Sequence, residues 1–402
     1  MLFTPLIPLS IIALSLWIFQ LVTAKIYQLQ KNQKDKIFEK SKNNKINEKP
    51  LISVIVPYYN ENESSLIDTI NSIYNNYSNL EIILINDGSQ KKYSRKLIEI
   101  LNKCNCLHIQ YNENQGKRFA MVQGIQRANA EYIVFVDSDT ILSPNAIENI
   151  LQEMIVNDVD AVGGNIVLKN KDENKLTKII SGMYWTAFNL ERLSQSAFKC
   201  MTCCSGGFSI YKSKIIKENI SEFFNQYVGK IKCTAGDDRH LTSIFIINKH
   251  KSIVSSNAIA YTDTPSSFKS FIKQQQRWAR SLITEIIWSL ASFDRFKKFP
   301  KIYHLFIFKI LFKYIYMMYI FLLLIFSAFT FPINYLYLIS FSIGFLSIVT
   351  LKSIVSLFFP KSSLNNSLNL FLFGILGFFV MSPFLMWSTI TPFKSIWGSR
   401  SQ

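Results

Sequence analysis

The sequence predicts an α/β domain inserted between membrane-spanning helices. Of its 402 residues, 49% are hydrophobic and 14% aromatic, 33 of them phenylalanine, while only 18% are charged. Soluble domains usually carry about 25% charged residues, so this composition indicates lipid-facing segments. The apolar runs lie towards the two ends of the chain, and residues 50–300 form a polar middle of a size that suits one catalytic domain.

The first apolar run, residues 2–22, is uncharged and long enough to cross a bilayer. A cleaved signal peptide would require a charged start and a small-residue exit, and the run has neither. Eight lysines follow between positions 25 and 49. By the positive-inside rule they lie in the cytoplasm, so we predict a transmembrane helix over 1–24 and a basic cytoplasmic linker over 25–50.

Two further spans are predicted within residues 314–359. The runs 314–331 and 335–351 are uncharged and are separated by a short turn at Pro332. Lysines precede the first run and follow the second, so the start of the first span and the end of the second are predicted to lie in the cytoplasm. Residues 286–313, directly before the spans, are predicted to form interfacial helices.

The last apolar run, residues 368–393, is interrupted by Pro383 and loosened by two glycines. A single crossing would place Lys394 and Arg400 outside the cell, against the positive-inside rule. We therefore expect residues 360–402 to form an interfacial or re-entrant segment and a cytoplasmic C-terminus.

The polar middle alternates strand and helix patterns. Short β-branched runs at 51–56, 81–85, 107–111 and 132–136 predict strands, and helical patterns begin near Ser64 and at Gly116. Such alternation predicts a parallel sheet whose ligand lies at the carboxyl ends of its strands. Three polar clusters follow strands of this set: Tyr59-Asn60-Glu61, Asn86-Asp87-Gly88 and Asp137-Ser138-Asp139.

Asp137 and Asp139 flank one residue just beyond a buried strand. Carboxylate oxygens are the ligands that a hard divalent cation needs beside a nucleotide diphosphate, and one turn can present both acids. Asp87 ends an earlier strand and could accept hydrogen bonds from a base or ribose. Ordinary solvated turns are the alternative at both places.

Three later motifs complete the candidate site. Cys204-Ser205-Gly206-Gly207 is a loop of small residues that lets the backbone approach a ligand. Asp237 and Asp238 could include a catalytic base, although Asp238 also suits a helix N-terminus. In Gln274-Gln275-Gln276-Arg277-Trp278, the indole could stack on a sugar ring and the guanidinium could bind a diphosphate. An interfacial tryptophan at the membrane surface is the alternative for Trp278.

The net charge is +17, but the lysines and arginines are dispersed along the chain instead of forming a nucleic-acid-binding motif. Nucleic acid is therefore not expected as a partner, whereas anionic lipids and anionic sugar nucleotides are. The six cysteines lack the spacing of a zinc site, so reduced thiols in a cytosolic domain are the better interpretation.

Taken in order, these motifs resemble those of a processive family 2 glycosyltransferase over residues 50–285. Each motif alone is weak evidence for this family, whereas all of them in this order are specific to it. Within that family the chain is most similar to bacterial hyaluronan synthases. It departs from many relatives in having one N-terminal span where they have two. The motifs are Ser53-Val-Ile-Val-Pro-Tyr-Tyr-Asn-Glu61, Asn86-Asp-Gly-Ser89, Asn114-Gln-Gly-Lys-Arg118, Val136-Asp-Ser-Asp139, Cys204-Ser-Gly-Gly207, Gly236-Asp-Asp-Arg-His-Leu-Thr242, Thr262-Asp-Thr-Pro265, Lys273-Gln-Gln-Gln-Arg-Trp278 and Trp397-Gly-Ser-Arg400.

The resemblance implies a GT-A type fold over 51–285 and a role for each matching position. Asp238 would be the general base, with Asp237 as its neighbour near the acceptor. Asp137 and Asp139 would hold UDP together with Mg²⁺ or Mn²⁺. The remaining implied positions are Asp87, Lys117, Arg277, Trp397 and Arg400 for the nucleotide sugar, and Cys204, Gln274 and Trp278 for the acceptor.

The implied activity is an inverting, processive transferase in the cell membrane, with its catalytic domain in the cytoplasm. It would polymerise UDP-GlcA and UDP-GlcNAc into hyaluronan and export the growing polysaccharide. The main alternative is a chitin-type or chitooligosaccharide synthase that uses UDP-GlcNAc alone, or another family 2 polysaccharide synthase. A lipid-linked glycosyltransferase and a sugar channel without catalysis are weaker alternatives, since neither explains the full set of donor and acceptor motifs.

Overall fold

The computed structural model describes residues 6–40, 49–90, 94–329, 349–351, 353–354, 356–359, 364–377, 384, 387–388 and 391–393. Its strands in chain order are β1 Ile52–Tyr58, β2 Leu80–Asn86, β3 Leu107–Gln110, β4 Tyr132–Val136, β5 Ile141–Leu142, β6 Ala161–Leu168, β7 Phe208–Lys212, β8 Tyr227–Val228, β9 Ile231–Lys232 and β10 Ser252–Thr262. Its helices are α1 Leu6–Lys40, α2 Glu63–Tyr74, α3 Arg95–Lys103, α4 Lys117–Arg127, α5 Ala146–Asn157, α6 Lys175–Thr186, α7 Arg192–Ser196, α8 Ser213–Glu218, α9 Ile220–Phe224, α10 Asp237–Ile247, α11 Phe268–Leu290, α12 Phe293–Lys298, α13 Lys301–Phe329 and α14 Leu364–Leu376.

The first half of the main sheet is parallel, in the order β3-β2-β1-β4. Every residue of β1 is buried, as expected of a central strand covered on both faces. Helix α4 packs against β1 and β2. The four predicted strands and the helices beginning near Ser64 and Gly116 are confirmed.

The second half of the sheet is mixed. β7 runs antiparallel to both β4 and β6, while β10 is parallel to β6 and pairs with the short antiparallel edge strand β5. The predicted parallel arrangement therefore holds for all four strands from which it was predicted, and the later strands β7 and β5 make the sheet mixed. Hydrophobic periodicity indicates that a segment is a strand but carries no information on its direction, which depends on how the chain returns to the sheet.

Helix α1 is a continuous helix of 35 residues that docks on the α/β domain. The Thr23 and Ser194 hydroxyls are hydrogen-bonded at 2.7 Å, and the Lys31 ammonium pairs with Glu153 at 2.6 Å in a buried contact. The residues expected to form a basic linker thus continue the helix as far as Lys40. This contact gives the N-terminal helix a fixed attachment to the sheet domain.

Within the described residues, two helical stretches have the length and apolar composition to cross a bilayer: Pro8–Lys34 in α1 and Lys301–Leu323 in α13. The first turns of α13 also pack on the α/β domain, since Tyr303, Phe306 and Ile307 are buried there. Most of the span predicted at 335–351 lies outside the described residues.

Helix α14, from the C-terminal apolar run, packs closely on α6 of the α/β domain. The contact is made at Gly182, where an added Cβ would lie 2.7 Å from the backbone nitrogen of Leu370. Only a residue without a side chain allows two helix backbones to approach so closely. The C-terminal segment is therefore built onto the α/β domain through a glycine contact.

Gly182→Ala should lower stability by about 1–3 kcal/mol, because the methyl group overpacks the contact between α6 and α14. Gly377→Ala is the matched control, since its added Cβ would meet only Phe373 at 4.0 Å. Glycine to alanine in open helical positions is neutral or stabilising by about 0.5–1 kcal/mol. Thermal unfolding of the purified full chain measures both; a Gly182→Ala protein as stable as wild type would contradict the tight contact.

Candidate active site

Several of the candidate residues line one cavity at the carboxyl end of β4. Lys117 of α4, Asp137, Gly206 and the adjacent pair Asp237 and Asp238 line it. Its apolar wall includes Phe135, Tyr211 and Leu241. Residues from four separate stretches, which together extend over more than 100 positions of the sequence, therefore meet in one cavity.

On one side of this cavity Lys117 and Asp137 form an ion pair. The Lys117 ammonium donates to the Asp137 carboxylate at 2.5 Å, and both side chains are about three-quarters buried. Burial by itself would lower the pKa of the Lys117 ammonium, but the surrounding aspartate carboxylates, Asp137 first among them, outweigh burial and raise that pKa. The lysine therefore stays charged at neutral pH and can face an anionic ligand.

Asp137 and Asp139 lie on a turn that is fixed from several sides. The Thr140 amide donates to the Asp137 carbonyl at 3.0 Å, and the Ser138 hydroxyl donates to Glu61 at 2.6 Å. The part of the chain that the structure describes contains no group of three or more histidine, cysteine or acidic side chains suited to a metal. Two carboxylates on one turn fit Mg²⁺ or Mn²⁺, which in phosphate sites use one or two protein carboxylates and complete their shell with phosphate and water.

Asp87 fixes the loop that precedes α4. Its carboxylate accepts the Gln115 amide at 3.0 Å and the Gly116 amide at 2.8 Å, and the residue is fully buried. Burial raises the pKa of the Asp87 carboxyl, while the two amides partly counteract this. In this structure the aspartate therefore positions the start of α4, directly before Lys117.

Asp237 and Asp238 lie at the start of α10, but they have different surroundings. The Asp237 carboxylate pairs with the Arg118 guanidinium at 2.9 Å and is almost fully buried. Gly236, just before them, has a φ of +82°, and a Cβ there would lie 2.1 Å from the Ser281 hydroxyl of α11. The backbone before the two acids thus requires glycine both for its left-handed conformation and for the close approach of α11.

Asp238 is only half-buried and accepts three weak or local contacts. Its Oδ1 accepts the adjacent Arg239 amide at 2.8 Å, and its Oδ2 lies 3.3 Å from the Gly206 amide and 3.5 Å from the Cys203 thiol. Burial, helped by the Asp238 charge, raises the pKa of Cys203 to about 11, so the thiol is a neutral neighbour. Asp238 is therefore held in place, and no lysine or arginine of the described residues forms an ion pair with it.

Cys204 has a supporting position below the site. Its side chain is fully buried, burial raises its pKa to about 12, and its amide donates to Thr242 at 2.9 Å. The thiol that contacts Asp238 is instead that of Cys203. Sequence reasoning did not single out Cys203, and the only signal was its place directly before the small-residue loop.

Gly206 separates the two charged sides of the cavity. A Cβ at this position would lie 3.4 Å from the Lys117 ammonium and 3.6 Å from the Asp238 Cβ. A hydrogen at Gly206 thus leaves free the space between Lys117 and Asp238. The small-residue loop therefore lets the backbone at Gly206 lie between these two side chains.

Helix α11 presents Gln274, Arg277 and Trp278 at the i, i+3 and i+4 spacing of one face. The Trp278 ring is 38% exposed and lies 6.1 Å from the ring of Tyr184. Burial raises the pKa of Tyr184, which is also influenced by the charges of Arg277 and Asp137. Tyr184 therefore lies close to Trp278 and within electrostatic range of Arg277 and Asp137, an arrangement that the sequence did not reveal.

Two polar atoms on this face are buried without a hydrogen-bond partner among the described residues: Gln274 Oε1 and Arg277 Nε. Buried polar groups are normally satisfied, so these atoms are available to a bound ligand. The segment that leads to Trp397 and Arg400 also meets α11, because Arg280 donates to the Thr391 hydroxyl at 3.2 Å and Thr284 donates to the Pro392 carbonyl at 3.1 Å. Trp397 and Arg400 themselves lie outside the described residues.

The sequence matches the family model "Glycosyl transferase family 2" over residues 53–220. It is also 30% identical, over 363 residues, to the hyaluronan synthase of Streptococcus pyogenes serotype M1, an alignment that covers 87% of this chain and 83% of that protein. The chain belongs to glycosyltransferase family 2. The enzyme class and the similarity to hyaluronan synthases expected from the motifs are thereby confirmed.

Two further relatives define the breadth of the similarity. An N-acetylglucosaminyltransferase of Azorhizobium caulinodans is 32% identical over 237 residues, which cover 58% of this glycosyltransferase and 59% of the relative. The mannosyltransferase PcManGT of Pyrobaculum calidifontis, solved with GDP-Man and Mn²⁺, superposes with a TM-score of 0.53 at 14% identity, covering 96% of this chain and 98% of that one. This superposition concerns the fold alone, and with the family match it confirms a GT-A type α/β domain.

A side chain at Gly206 should block this glycosyltransferase by filling the space between Lys117 and Asp238. We expect Gly206→Val to lose at least about tenfold in turnover, because a branched side chain projects beyond the 3.4 Å contact with Lys117. Gly206→Ala is the matched control and should retain most activity, since its methyl group makes only ordinary contacts. Release of nucleoside diphosphate measures both; a fully active, folded Gly206→Val protein would show that the space is not used.

Proposed function

We propose that this protein is a membrane-embedded, inverting, processive glycosyltransferase that polymerises hyaluronan from UDP-GlcNAc and UDP-GlcA and exports it. The observation that carries the proposal is the placement of Asp238 in the same cavity as the Lys117–Asp137 pair, on the other side of Gly206. In this proposal Asp238 is the base and the Lys117–Asp137 pair belongs to the donor site, so both line the same cavity. The similarity to hyaluronan synthases over most of the chain supports the choice of sugars.

The donor side consists of Lys117, Asp137, Asp139 and Arg277. In this proposal the two cationic side chains face the diphosphate of UDP, and Asp87 supports the nucleotide through the loop that it holds. Trp397 and Arg400 are assigned to cover the nucleotide, and the attachment of Thr391 to α11 is consistent with a tail that reaches this side. Negative charge that develops on the leaving UDP is stabilised by these cations.

The metal in this proposal is Mg²⁺ or Mn²⁺, held by Asp137 and Asp139. When bound, it supplies Lewis-acid stabilisation of the diphosphate. Because Asp137 already pairs with Lys117, the site has one cation in place beside its carboxylates. The two carboxylates otherwise concentrate negative charge where UDP must bind, so a divalent ion suits the charge balance.

The acceptor side consists of Asp238, Gln274 and Trp278, with Asp237 and Cys204 supporting it from buried positions. The half-exposed Trp278 ring offers a sugar a flat surface, and Gln274 has a buried oxygen that a hydroxyl group can satisfy. Asp238 takes the proton of the acceptor hydroxyl as that oxygen bonds to C1 of the donor. The C1–O bond to UDP breaks on the opposite face, so the α-linked donor gives a β-linkage.

Membrane attachment in this proposal uses α1, α13 and the segments after residue 329. The two apolar stretches in α1 and α13 support it, as does the similarity to hyaluronan synthases. The α/β domain lies in the cytoplasm, where the lysines after residue 24 place it. Helix α11 leads through α12 directly into α13. In this proposal a growing polysaccharide held at Trp278 is therefore close to the membrane helices.

A chitin-type enzyme that uses UDP-GlcNAc alone is the second candidate. The 32% identity to an N-acetylglucosaminyltransferase over 237 residues favours it. Both candidates use the same base and the same donor-side acids, and they differ in whether a second, carboxylate-bearing donor is accepted. The excess of positive charge favours the anionic donor and product.

Asp238→Asn should abolish sugar transfer while leaving UDP affinity nearly unchanged, because the amide keeps the shape of the side chain but cannot take a proton. Asp68→Asn, at an exposed position of α2, is the control for loss of one negative charge. Turnover is measured by UDP release and UDP affinity by calorimetry. Retention of more than about a tenth of the rate, a loss below about 1.4 kcal/mol, would refute the base assignment.

The product is tested by supplying UDP-GlcNAc alone, UDP-GlcA alone and then both, with Mg²⁺ or Mn²⁺, to the full chain in lipid nanodiscs. Polymer should form only with both donors and should be digested by hyaluronidase. A chitinase-sensitive polymer from UDP-GlcNAc alone would replace hyaluronan with the chitin-type candidate. It would leave the donor and base assignments unchanged.

A further inference from the structure

A chain of buried polar side chains connects three helices behind the active site. It begins at Asp237 on α10, passes through Arg118 on α4 and Gln226, and ends at Glu285 on α11 and His240 on α10. None of these side chains except Asp237 lines the cavity itself. The reaction described above assigns no role to Arg118, Glu285 or His240.

Arg118 is the centre of this chain. Its Nε donates to Asp237 at 2.9 Å, one terminal nitrogen donates to the Cys233 carbonyl at 3.0 Å, and the other donates to Gln226 at 3.0 Å. The guanidinium also lies over the Phe223 ring, 5.4 Å from its centroid. A lysine could replace the charge but not this fork of donors, because an ammonium lacks the planar arrangement of guanidinium nitrogens.

Glu285 joins the same chain to α11. Its carboxylate accepts the Gln226 amide at 2.8 Å and lies 3.1 Å from His240 Nδ1, and both partners of the His240–Glu285 pair are buried. Burial would raise the pKa of Glu285, but the neighbouring histidine and other polar contacts outweigh it and lower that pKa. Edge-to-face packing of His240 on Trp288, at 4.6 Å, fixes the imidazole between α10 and α11.

The start of α4 therefore reaches both sides of the active site with two consecutive residues. Successive side chains on a helix point about 100° apart, so Lys117 and Arg118 extend in different directions from one turn. Lys117 holds Asp137 on the donor side, and Arg118 holds Asp237, the residue next to the base. The distance between donor site and base thus depends on one turn of one helix.

We propose that Arg118 is a positioning residue that, together with Glu285 and His240, holds the base helix α10 and the acceptor helix α11 at a fixed distance from the donor site. This inference rests on the proposed glycosyltransferase function. Arg118 itself does not line the cavity, and its contact with the residues that do is the ion pair with Asp237, so it acts through Asp237. Its loss should misplace Asp238 while leaving the donor-binding residues in place.

The test compares Arg118→Gln, Arg118→Lys and Glu285→Gln with wild type, using the full chain in nanodiscs with both UDP-sugars and Mg²⁺. Arg118→Gln and Glu285→Gln should each lower kcat at least about tenfold and change the donor KM less than about threefold. Arg118→Lys should recover part of kcat, since it keeps the charge beside Asp237. Arg127→Gln, at the other end of α4 where the Arg127 guanidinium donates to Gln123, is the matched control and should behave as wild type.

A double variant shows whether Arg118 acts through Asp237. In Arg118→Gln/Asp237→Asn the buried charge is removed together with its partner, so its kcat should be no lower than that of the worse single variant. A multiplicative loss would assign Arg118 a separate role and overturn the proposal. Thermal unfolding is measured with each assay. If Arg118→Gln does not fold, the isosteric Glu285→Gln variant tests the same series of hydrogen-bonded side chains at its other end.

Two further results would overturn the proposal: unchanged kcat in folded Arg118→Gln and Glu285→Gln proteins, or a raised donor KM with kcat retained. The second result would make Arg118 part of the donor site. Absence of UDP release by wild type with any UDP-sugar is a different failure, since it would refute the proposed function itself. An active wild type with an equally active Arg118→Gln protein would refute the positioning role alone.

Discussion

Two ion pairs made by the first turn of α4 are the constraint on which the site depends. Lys117 pairs with Asp137 at the end of β4, and Arg118 pairs with Asp237 at the start of α10. The loop before this turn is fixed by Asp87, whose carboxylate accepts two of its amides. Asp87, Asp137 and Asp237 are separated by 50 and 100 positions of the sequence, and the start of α4 joins them.

The buried charges are tolerated because each of them is compensated by hydrogen bonds. A buried ion pair gains little net stability, but removing one partner leaves an uncompensated charge, at a cost of about 3–5 kcal/mol. The Arg118 guanidinium satisfies this requirement with a carboxylate, a carbonyl and an amide oxygen. Asp238, in contrast, is only half-buried and lies beside Gly206, which has no side chain. This surrounding suits the proposed base, because an acceptor hydroxyl group must be able to reach the carboxylate.

Much of the fold and most of the site positions could be predicted from the sequence. The strands of the parallel half have strong β-branched patterns, and their polar ends follow directly in the sequence, so the positions of Asp87, Asp137 and Asp139 make them candidates, whereas their roles come from the resemblance. The antiparallel return of β7 could not be predicted, because periodicity does not encode strand direction. The roles of Arg118 and Cys203 depend on tertiary contacts with α10, for which the motif spacing gives no signal.

The account predicts one nucleotide site whose two sides are held together by α4. A cryo-EM structure of the full chain with UDP and Mn²⁺ tests this most directly. The diphosphate and metal should bind beside Asp137 and Asp139, with the Arg118–Asp237 contact intact and Asp238 facing the open side of the cavity. UDP bound away from these two carboxylates, or Asp238 turned from the cavity while Arg118 contacts a different partner, would contradict it.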